Sequence, residues 1–325
     1  MMPRRRPPLQ PRQRGDALLL AMVILTLVAT LAAGMVWQQA RAVQVESAER
    51  AQQQADWILT GALDWARLIL REDARTGGAD HLGEPWATPL AEARLSTFLA
   101  ADHDDNSDGG PDAFLSGSIV DAQSRYNLRD LVDDNGKIVP AQLKGLERLC
   151  DAAGLPTDTA ARLADGLRSA WAPSAEERES TAPIAPLKVA QLVWLGLDAA
   201  TVARLEPYVV ILPVRTPVNV NTAAREVLLA AIDNLDLATA ERLVQVRQRK
   251  PFTSLQAVQQ ELPQGMAVDE QRIGFKSSYF DVYGRLRLDE RVLEEHSLVE
   301  RRGPERGLGV VTLMRERQNL ASAGS

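Results

Sequence analysis

The chain has 325 residues, of which 45% are hydrophobic and 25% charged, a composition typical of globular proteins with well-formed cores. Its formal net charge of −6 makes it a poor electrostatic match for nucleic acid. The one cysteine, Cys150, excludes an internal disulfide and is expected to be a small buried apolar side chain. His81, His103 and His296 are scattered, which gives no support to a zinc site or a Cys–His catalytic pair.

The N-terminal region predicts a membrane anchor. Residues 1–15 contain five arginines and no acid, and Ala17 to Trp37 then runs without a charged residue. About 20 apolar helical residues cross the hydrocarbon core of a bilayer. Arginines before the span and mixed charges after it place the N-terminus in the cytoplasm, so the rest of the chain is exported. A cleaved signal peptide, with a cut near Ala32–Gly34, and an uncleaved signal anchor are the alternatives.

The helix is predicted to continue beyond the membrane. Neither Gly nor Pro occurs between Met35 and Thr60, and apolar residues recur at alternating spacings of three and four. This spacing is one face of a helix, and we expect a single long helix over residues 16–75, with its membrane span at 17–37. The residues of the apolar face are Ala48, Ala51, Ala55, Ile58, Ala62, Trp65 and Ile69.

An acidic segment in the next region has the start of a calcium-binding pattern. Asp104, Asn106 and Asp108 place oxygen atoms at alternate positions, followed by a glycine for the turn and by Asp112. The twelfth position of the loop is Leu115 rather than Glu, so an EF-hand is not supported. Calcium binding at these residues and a simple solvated acidic turn both remain open.

The remaining elements predict an α+β fold with a helical insertion. Residues 76–130 are assigned to the first part of an α/β head, with a strand and a turn over 118–129. Residues 131–268 are assigned to an inserted helical domain that is helical by pattern over 141–171. Residues 269–317 return to the head with strands at 278–288, 292–299 and 309–314, and a disordered tail is expected at 318–325.

The segment from Pro217 to Leu228 suggests a helix-hairpin-helix unit. Thr222 is a plausible N-cap for a helix starting at Ala223, and a second helix is expected at about 237–249. Such units grip nucleic-acid phosphates through a glycine-containing hairpin, whereas the hairpin at 232–237 has no glycine and two acids. A membrane-anchored DNA-binding protein is therefore the alternative function. The basic residues that follow, among them Arg242 and Arg247, are expected to lie on a solvated face.

The chain contains no catalytic constellation. Gly-x-Ser-x-Gly, phosphate-loop and metal-cluster motifs are all missing from the sequence. Scattered carboxylates such as Asp104 and Asp121 could serve a membrane-bound hydrolase, but no sequence feature orients them. We therefore expect a protein that is not an enzyme and that takes no small-molecule substrate.

Two features of the N-terminus resemble type IV pilins and pseudopilins. In that family a basic leader is cut after a glycine, which corresponds to Gly15 here, and the next residue, Asp16, becomes the N-methylated mature terminus. Asp16 departs from the usual apolar residue. Pilin-like subunits also carry Glu as the fifth mature residue, where this chain has Leu20. Because a carboxylate in hydrocarbon persists only with a partner, its absence implies a subunit with no neighbour above it.

The whole chain resembles the minor pseudopilin K family of type II secretion, general secretion pathway protein K. The segments that carry the resemblance are the basic leader, the membrane helix without an internal Glu, Glu84-Pro85-Trp86, Gln123-Ser124-Arg125-Tyr126-Asn127-Leu128 and Asn219-Val220-Asn221-Thr222-Ala223. The resemblance implies a pilin-like α/β head that carries a large inserted helical domain of helix-hairpin-helix or SAM-like type.

The resemblance also implies a role. Members of the family sit at the tip of the pseudopilus in a complex with minor pseudopilins I and J, start its assembly in the inner membrane and project into the periplasm. It implies that a prepilin peptidase is a partner and that nucleic acid is not. Some members bind calcium through an acidic loop, which corresponds to residues 172–180 here, but the Asp-rich stretch expected there is missing.

Overall fold

The computed structural model describes residues 14–95, 113–172, 183–288, 291–303 and 307–320. The chain divides into two compact units, residues 1–57 and residues 58–325. The first helix, α1 (Arg14–Thr76), contributes to both units. The alternating spacing of apolar residues correctly predicted this helix.

The first unit contains the apolar part of α1. Its large side chains from Leu18 to Trp37 are all exposed, as expected for a helix whose surroundings are lipid. The hydroxyls of Thr26 and Thr30 donate to the carbonyl oxygens of Val23 at 2.9 Å and Leu27 at 2.8 Å. The only polar side chains of this stretch are therefore satisfied within the helix, which hydrocarbon requires. By length and composition this helix can cross a membrane.

A five-stranded antiparallel sheet forms the centre of the second unit. The strand order is β1-β2-β7-β8-β9, so β2 and β7 are neighbours although about 160 residues separate them. The register pairs Ala113 with Leu288 at one end of this ladder and Asp121 with Phe280 at the other. The strands are β1 (Leu90–Arg94), β2 (Ala113–Asp121), β7 (Tyr279–Leu288), β8 (Arg291–Arg302) and β9 (Gly309–Leu320).

The last turns of α1 pack on one face of this sheet. Leu63 and Leu70 on the helix share a buried cluster with Phe280 and Val299 from the strands. The indole of Trp86 packs edge-on against Phe280, with ring centroids 5.1 Å apart. The alternation of side chains along the strands therefore supplies one apolar face for the helix.

The chain between β2 and β7 forms the helical domain. One large core joins its helices, with Leu146, Leu163 and Leu243 fully buried. Two pairs of two-residue strands also lie in it, each parallel. The helices are α2 (Pro140–Ala152), α3 (Thr159–Trp171), α4 (Ala199–Leu205), α5 (Arg225–Ala231), α6 (Leu237–Arg249) and α7 (Leu255–Gln260); the short strands are β3 (Tyr126–Asn127), β4 (Val209–Val210), β5 (Val218–Asn219) and β6 (Ile273–Gly274).

Several boundaries differ from the sequence expectations. The helical pattern over 141–171 is two helices, because Gly154 ends α2 in the left-handed region with φ of 67°. Tyr126 already belongs to the core of the helical domain, so this core begins before residue 131. The disordered tail expected at 318–325 was wrong at its start, because β9 stays paired with β8 as far as Leu320.

Candidate functional site: the junction between sheet and helical domain

A fully buried carboxylate stands where the chain leaves the sheet for the helical domain. Asp121 ends β2, and its Oδ1 accepts a hydrogen bond from the backbone N–H of Gln123 at 2.8 Å. Its Oδ2 accepts from Asn219 Nδ2 at 2.9 Å, from the Thr222 hydroxyl at 2.6 Å and from the Ser277 hydroxyl at 2.7 Å. The Asp121 side chain therefore links three parts of the helical domain: its start at Gln123, its middle at Asn219 and Thr222, and its end at Ser277.

The protonation of Asp121 follows from its surroundings. Burial raises the pKa of this carboxyl, while the donors from Thr222, Ser277, Gln123 and Asn219 act in the opposite direction. The net shift is upward. A buried carboxylate with this many donors has a fixed geometry, so the group serves to hold the two parts of the fold in register.

The Asn-Val-Asn-Thr motif supplies the other half of this junction. The Asn219 side chain also donates to the carbonyl oxygen of Asp80 at 3.1 Å, and its Oδ1 accepts from the N–H of Asn221 at 3.0 Å. Asn221 in turn pairs with both backbone groups of Phe252, at 2.9 and 2.8 Å. The side chains of both asparagines therefore act as hydrogen-bond partners for backbone N–H and C=O groups. This structural role is sufficient to explain the motif.

The N-cap predicted for Thr222 was wrong. The helix starts at Arg225, with Ala224 as its N-cap residue, and the Thr222 hydroxyl donates to Asp121 instead. Residues 219–223 form a turn instead, in which the N–H groups of Thr222 and Ala223 donate to the carbonyl oxygen of Asn219 at 3.2 and 3.0 Å.

The Gln-Ser-Arg-Tyr-Asn segment fastens the start of the helical domain. Gln123 donates to the carbonyl oxygen of Pro217 at 3.1 Å and accepts from the N–H of Ser278 at 2.6 Å. The Tyr126 hydroxyl donates to the backbone oxygen of Gln142 at 2.9 Å. The segment is therefore hydrogen-bonded to Pro217, to Ser278 where the chain returns to the sheet, and to α2.

Asn127 completes this segment from a buried position. Its Nδ2 donates to the carbonyl oxygen of Val214 at 2.8 Å, and its Oδ1 accepts from the N–H groups of Arg129 at 3.1 Å and Leu212 at 3.2 Å. An amide that uses both ends in this way cannot be replaced by an apolar residue without leaving buried polar groups unpaired.

A second acidic cluster lies beside the junction. Carboxylate oxygens of Asp73, Asp80 and Glu84 lie within 4.8 Å of one another, a spacing that could hold a metal ion. The Arg301 guanidinium already fills the cationic role, since it contacts Asp73 and donates to both oxygens of Asp80 at 2.6 and 2.7 Å. The Ser277 N–H donates to Asp80 as well, at 2.6 Å. The cluster is therefore a network of ion pairs that links the end of α1 to β8.

Two carboxyl groups of this cluster, those of Asp73 and Asp80, have raised pKa values. Burial is the largest cause and raises the pKa of Asp73 to about 6, with Arg301 opposing it. Burial likewise raises the pKa of Asp80, again against Arg301. Glu84 accepts from the Trp86 indole N–H at 2.8 Å, which gives the Glu-Pro-Trp segment its structural role. No sequence pattern had singled out Asp73, Asp80 or Arg301.

Of the site residues predicted from the sequence, the structure describes only Gly15, Asp16 and Leu20. Asp104, Asn106, Asp108 and Asp112 lie outside the described residues, so calcium at this loop stays a prediction. Gly15 and Asp16 lie in the first turn of α1. Leu20 is exposed on the apolar part of the same helix.

The hairpin between α5 and α6 carries an acidic side chain that is paired within the fold. Asp233 pairs with Arg148 at 2.7 Å and Arg272 at 2.9 Å, and Asn234 takes the left-handed turn position with φ of 58°. Arg247, expected on a solvated face, is buried and donates to the carbonyl oxygen of Val220 at 2.5 Å. Burial lowers its pKa to about 10. The arginines of this region thus hold the fold together.

A groove of about 1030 Å³ runs between the outer face of the sheet and the helical domain. His296 Nε2 lies 2.7 Å from Asp281 Oδ1, and its ring stacks on Tyr283 with centroids 4.6 Å apart. Arg125 pairs with the other oxygen of Asp281. Among the described residues, no hydroxyl is hydrogen-bonded to His296.

A long N-terminal helix, an antiparallel sheet packed on its last turns and a helical domain inserted between β2 and β7 together define a pilin-like subunit. A solved structure agrees with this class. One chain in the structure titled as the GspK-GspI-GspJ complex from enterotoxigenic Escherichia coli matches with a TM-score of 0.58 at 19% identity, over 83% of this chain and 98% of that one.

Sequence comparisons identify the family. Two family profiles described as type II secretion system protein K match residues 124–214 and 218–276. Type II secretion system protein K of Pseudomonas aeruginosa is 30% identical over 302 residues, covering 86% of each chain. The protein of the same name from Pectobacterium carotovorum subsp. carotovorum is 30% identical over 325 residues, covering 90% of this chain and 94% of its own. The chain belongs to the type II secretion system protein K family.

Proposed function

We propose that this chain is the minor pseudopilin at the tip of a type II secretion pseudopilus, where it initiates assembly and supports export across the outer membrane. It is anchored in the inner membrane by α1, with its globular part in the periplasm. Its work is done by protein contacts, with minor pseudopilins I and J as its partners, and requires no catalysis.

Leu20 is the observation that carries this proposal. It occupies the position at which major pilin-like subunits carry a glutamate, and it lies exposed on the uncharged stretch of α1. A subunit without this carboxylate has nothing to pair with the terminal amine of a subunit above it. Such a subunit can start a fibre but cannot be added beneath another in the usual way.

The similarity to the GspK chain supports the choice of partners. That chain was solved together with GspI and GspJ, and its fold covers most of this one. The junction around Asp121 supports a passive role, because its polar side chains are used in holding the helical domain on the sheet.

Processing at Gly15 and Asp16 tests the proposal. A prepilin peptidase cuts after Gly15 and leaves an N-methylated Asp16. The mass of the protein purified from native membranes is expected to show a chain that begins at Asp16 only when the peptidase is present. A Gly15→Leu variant serves as the uncleaved control. A chain that retains Met1, or one cut near Ala33, would overturn the proposal.

A further inference from the structure

Trp37 and Arg41 lie one helical turn apart at the end of the uncharged stretch of α1. The guanidinium carbon of Arg41 is 5.7 Å from the centroid of the Trp37 ring, within cation–π distance. Trp37 is 66% exposed. Arg41 is the one charged residue in the sequence between Asp16 and Glu46. A single positive charge beside an exposed indole therefore marks this level of the helix.

The position of this pair matches a membrane boundary. Ala17 to Trp37 spans about 30 Å at 1.5 Å per residue, close to the thickness of a hydrocarbon core. Trp37 then lies where indoles collect in membrane proteins, and Arg41 lies about 6 Å further along the helix, at the depth of the headgroups. Arginine binds phosphate through several donors at once.

Arg41 and Arg50 differ in whether α1 supplies a carboxylate partner for their charge. Arg50 pairs with Glu46 at 2.5 Å, one turn away on the same helix. Within residues 14–57, no carboxylate lies at ion-pair distance from Arg41. The guanidinium of Arg41 is thus available to an anion that the protein does not itself supply.

We propose that Trp37 and Arg41 form a binding site for the phosphate of a lipid headgroup, in the leaflet that α1 enters at its Trp37 end, and that this site fixes the depth of the helix. The indole occupies the boundary with the acyl chains, and the guanidinium binds the phosphate one turn above. The inference rests on the membrane anchoring of the proposed function.

Labelling of single cysteines measures this depth in the full-length chain. The chain is reconstituted in phospholipid bilayers, and cysteines placed one at a time at residues 35–45, except at 37 and 41, react with a water-soluble maleimide. Cys150 is buried, so the native thiol adds little background. In the otherwise native chain, labelling is expected to begin between Trp37 and Arg41. With Trp37→Leu and Arg41→Leu together, it is expected to begin about four residues, or one turn, later.

Control variants and control lipids distinguish the binding of lipid phosphate from other causes of a shift in the labelling boundary. Arg50→Leu is expected to leave the boundary unchanged. Arg41→Gln is expected to shift the boundary in phospholipid but not in uncharged glycolipid with the same acyl chains, and free phosphate in the buffer is expected to have no effect. An unchanged boundary in the double variant, or an equal shift in glycolipid, would overturn the inference. Further single cysteines placed at residues 18–34 test the anchoring separately: free labelling throughout that range would show that the membrane anchoring itself fails.

Discussion

At the scale of single residues, buried carboxylates hold the fold at points where separate chain segments meet. Asp121 accepts hydrogen bonds from residues 98 and 101 positions later in the chain. Arg301 links Asp80 to the end of α1 at Asp73. Groups of this kind contribute to specificity more than to net stability, because both partners give up water on burial.

Replacing Asp121 with alanine is expected to destabilise the second unit strongly. Asn219, Thr222 and Ser277 would each lose an acceptor in a buried site, at a cost of about 2–4 kcal/mol in total. Urea unfolding of the detergent-solubilised chain, followed by tryptophan fluorescence, measures the change. Asp134→Asn is the control, because the Asp134 side chain is 87% exposed. Equal midpoints for the two variants would contradict the role assigned to Asp121.

Asp130 makes stability depend on pH. Burial raises its pKa from 3.8 to about 7, against the opposing effects of the Thr216 N–H and of Arg215 and Arg272. The folded state therefore keeps a proton that the unfolded state releases near pH 3.8. The stability contributed by this group is complete below that pH and is lost as the pH rises towards 7.

The Asp130→Asn variant tests this dependence. Asparagine keeps an oxygen for the Thr216 N–H, which lies 3.2 Å from Asp130 Oδ1, but has no proton to lose. The urea midpoint of the native chain is expected to fall between about pH 4.5 and about pH 7.5, and that of the variant to fall less. Asp73 and Asp80 contribute in the same direction, so some slope remains. An unchanged slope would show that Asp130 is ionised in the folded state.

The same residues show what the sequence could and could not predict. The Asn-Val-Asn-Thr segment and Asp121 were both named from the sequence, but their pairing could not be predicted, because local patterns do not reveal which distant segments meet. Arg247 was expected in solvent, since a helical arginine usually is, whereas its helix presents it to the carbonyl oxygen of Val220. The network of ion pairs around Arg301 corresponds to no recognisable pattern in the sequence.

At the scale of elements, the spacing of apolar residues predicted the bounds of the longest helix and of a long strand most accurately. The long helix and the strand at 278–288 agree closely with α1 and β7, because both are long and regular enough to show their period. The strands β3 and β4 have two residues each, too few for any period. The turn at Gly154 was missed because the apolar pattern continues through it.

The contact between α2 and α5 depends on Gly145. A Cβ at this position would lie 2.6 Å from the carbonyl oxygen of Ala230 and 3.1 Å from the guanidinium of Arg272. Gly145→Ala is therefore expected to push the helices apart and to cost about 1–3 kcal/mol. Gly61→Ala is the matched control, since nothing lies within 4 Å of that Cβ.

The two alanine variants are expected to differ in sign. Gly61→Ala lies in the interior of α1 and is expected to stabilise the helix by about 0.5–1 kcal/mol. Thermal unfolding of both variants, followed by circular dichroism, makes the comparison. Gly145→Ala with a melting temperature at or above that of the native chain would contradict the close packing of α2 on α5.

At the scale of the whole molecule, the chain combines a helix that can cross a membrane by its length and composition with a sheet that carries an inserted helical domain. The chain belongs to the type II secretion system protein K family. The sequence predicted this combination because the leader, the uncharged helix and two short motifs occur in a fixed order. The groove beside His296 was not predicted, because it is lined by strands and helices far apart in the chain.

Assembly with minor pseudopilins I and J is the central claim. The most direct measurement is native mass spectrometry of the three full-length chains, co-expressed and purified in detergent through a tag on pseudopilin I, with an unrelated single-pass membrane protein as the control. We expect a complex that contains one copy of each chain and from which the control is absent. A complex of I and J alone, with this chain in the unbound fraction although folded and processed at Asp16, would contradict it.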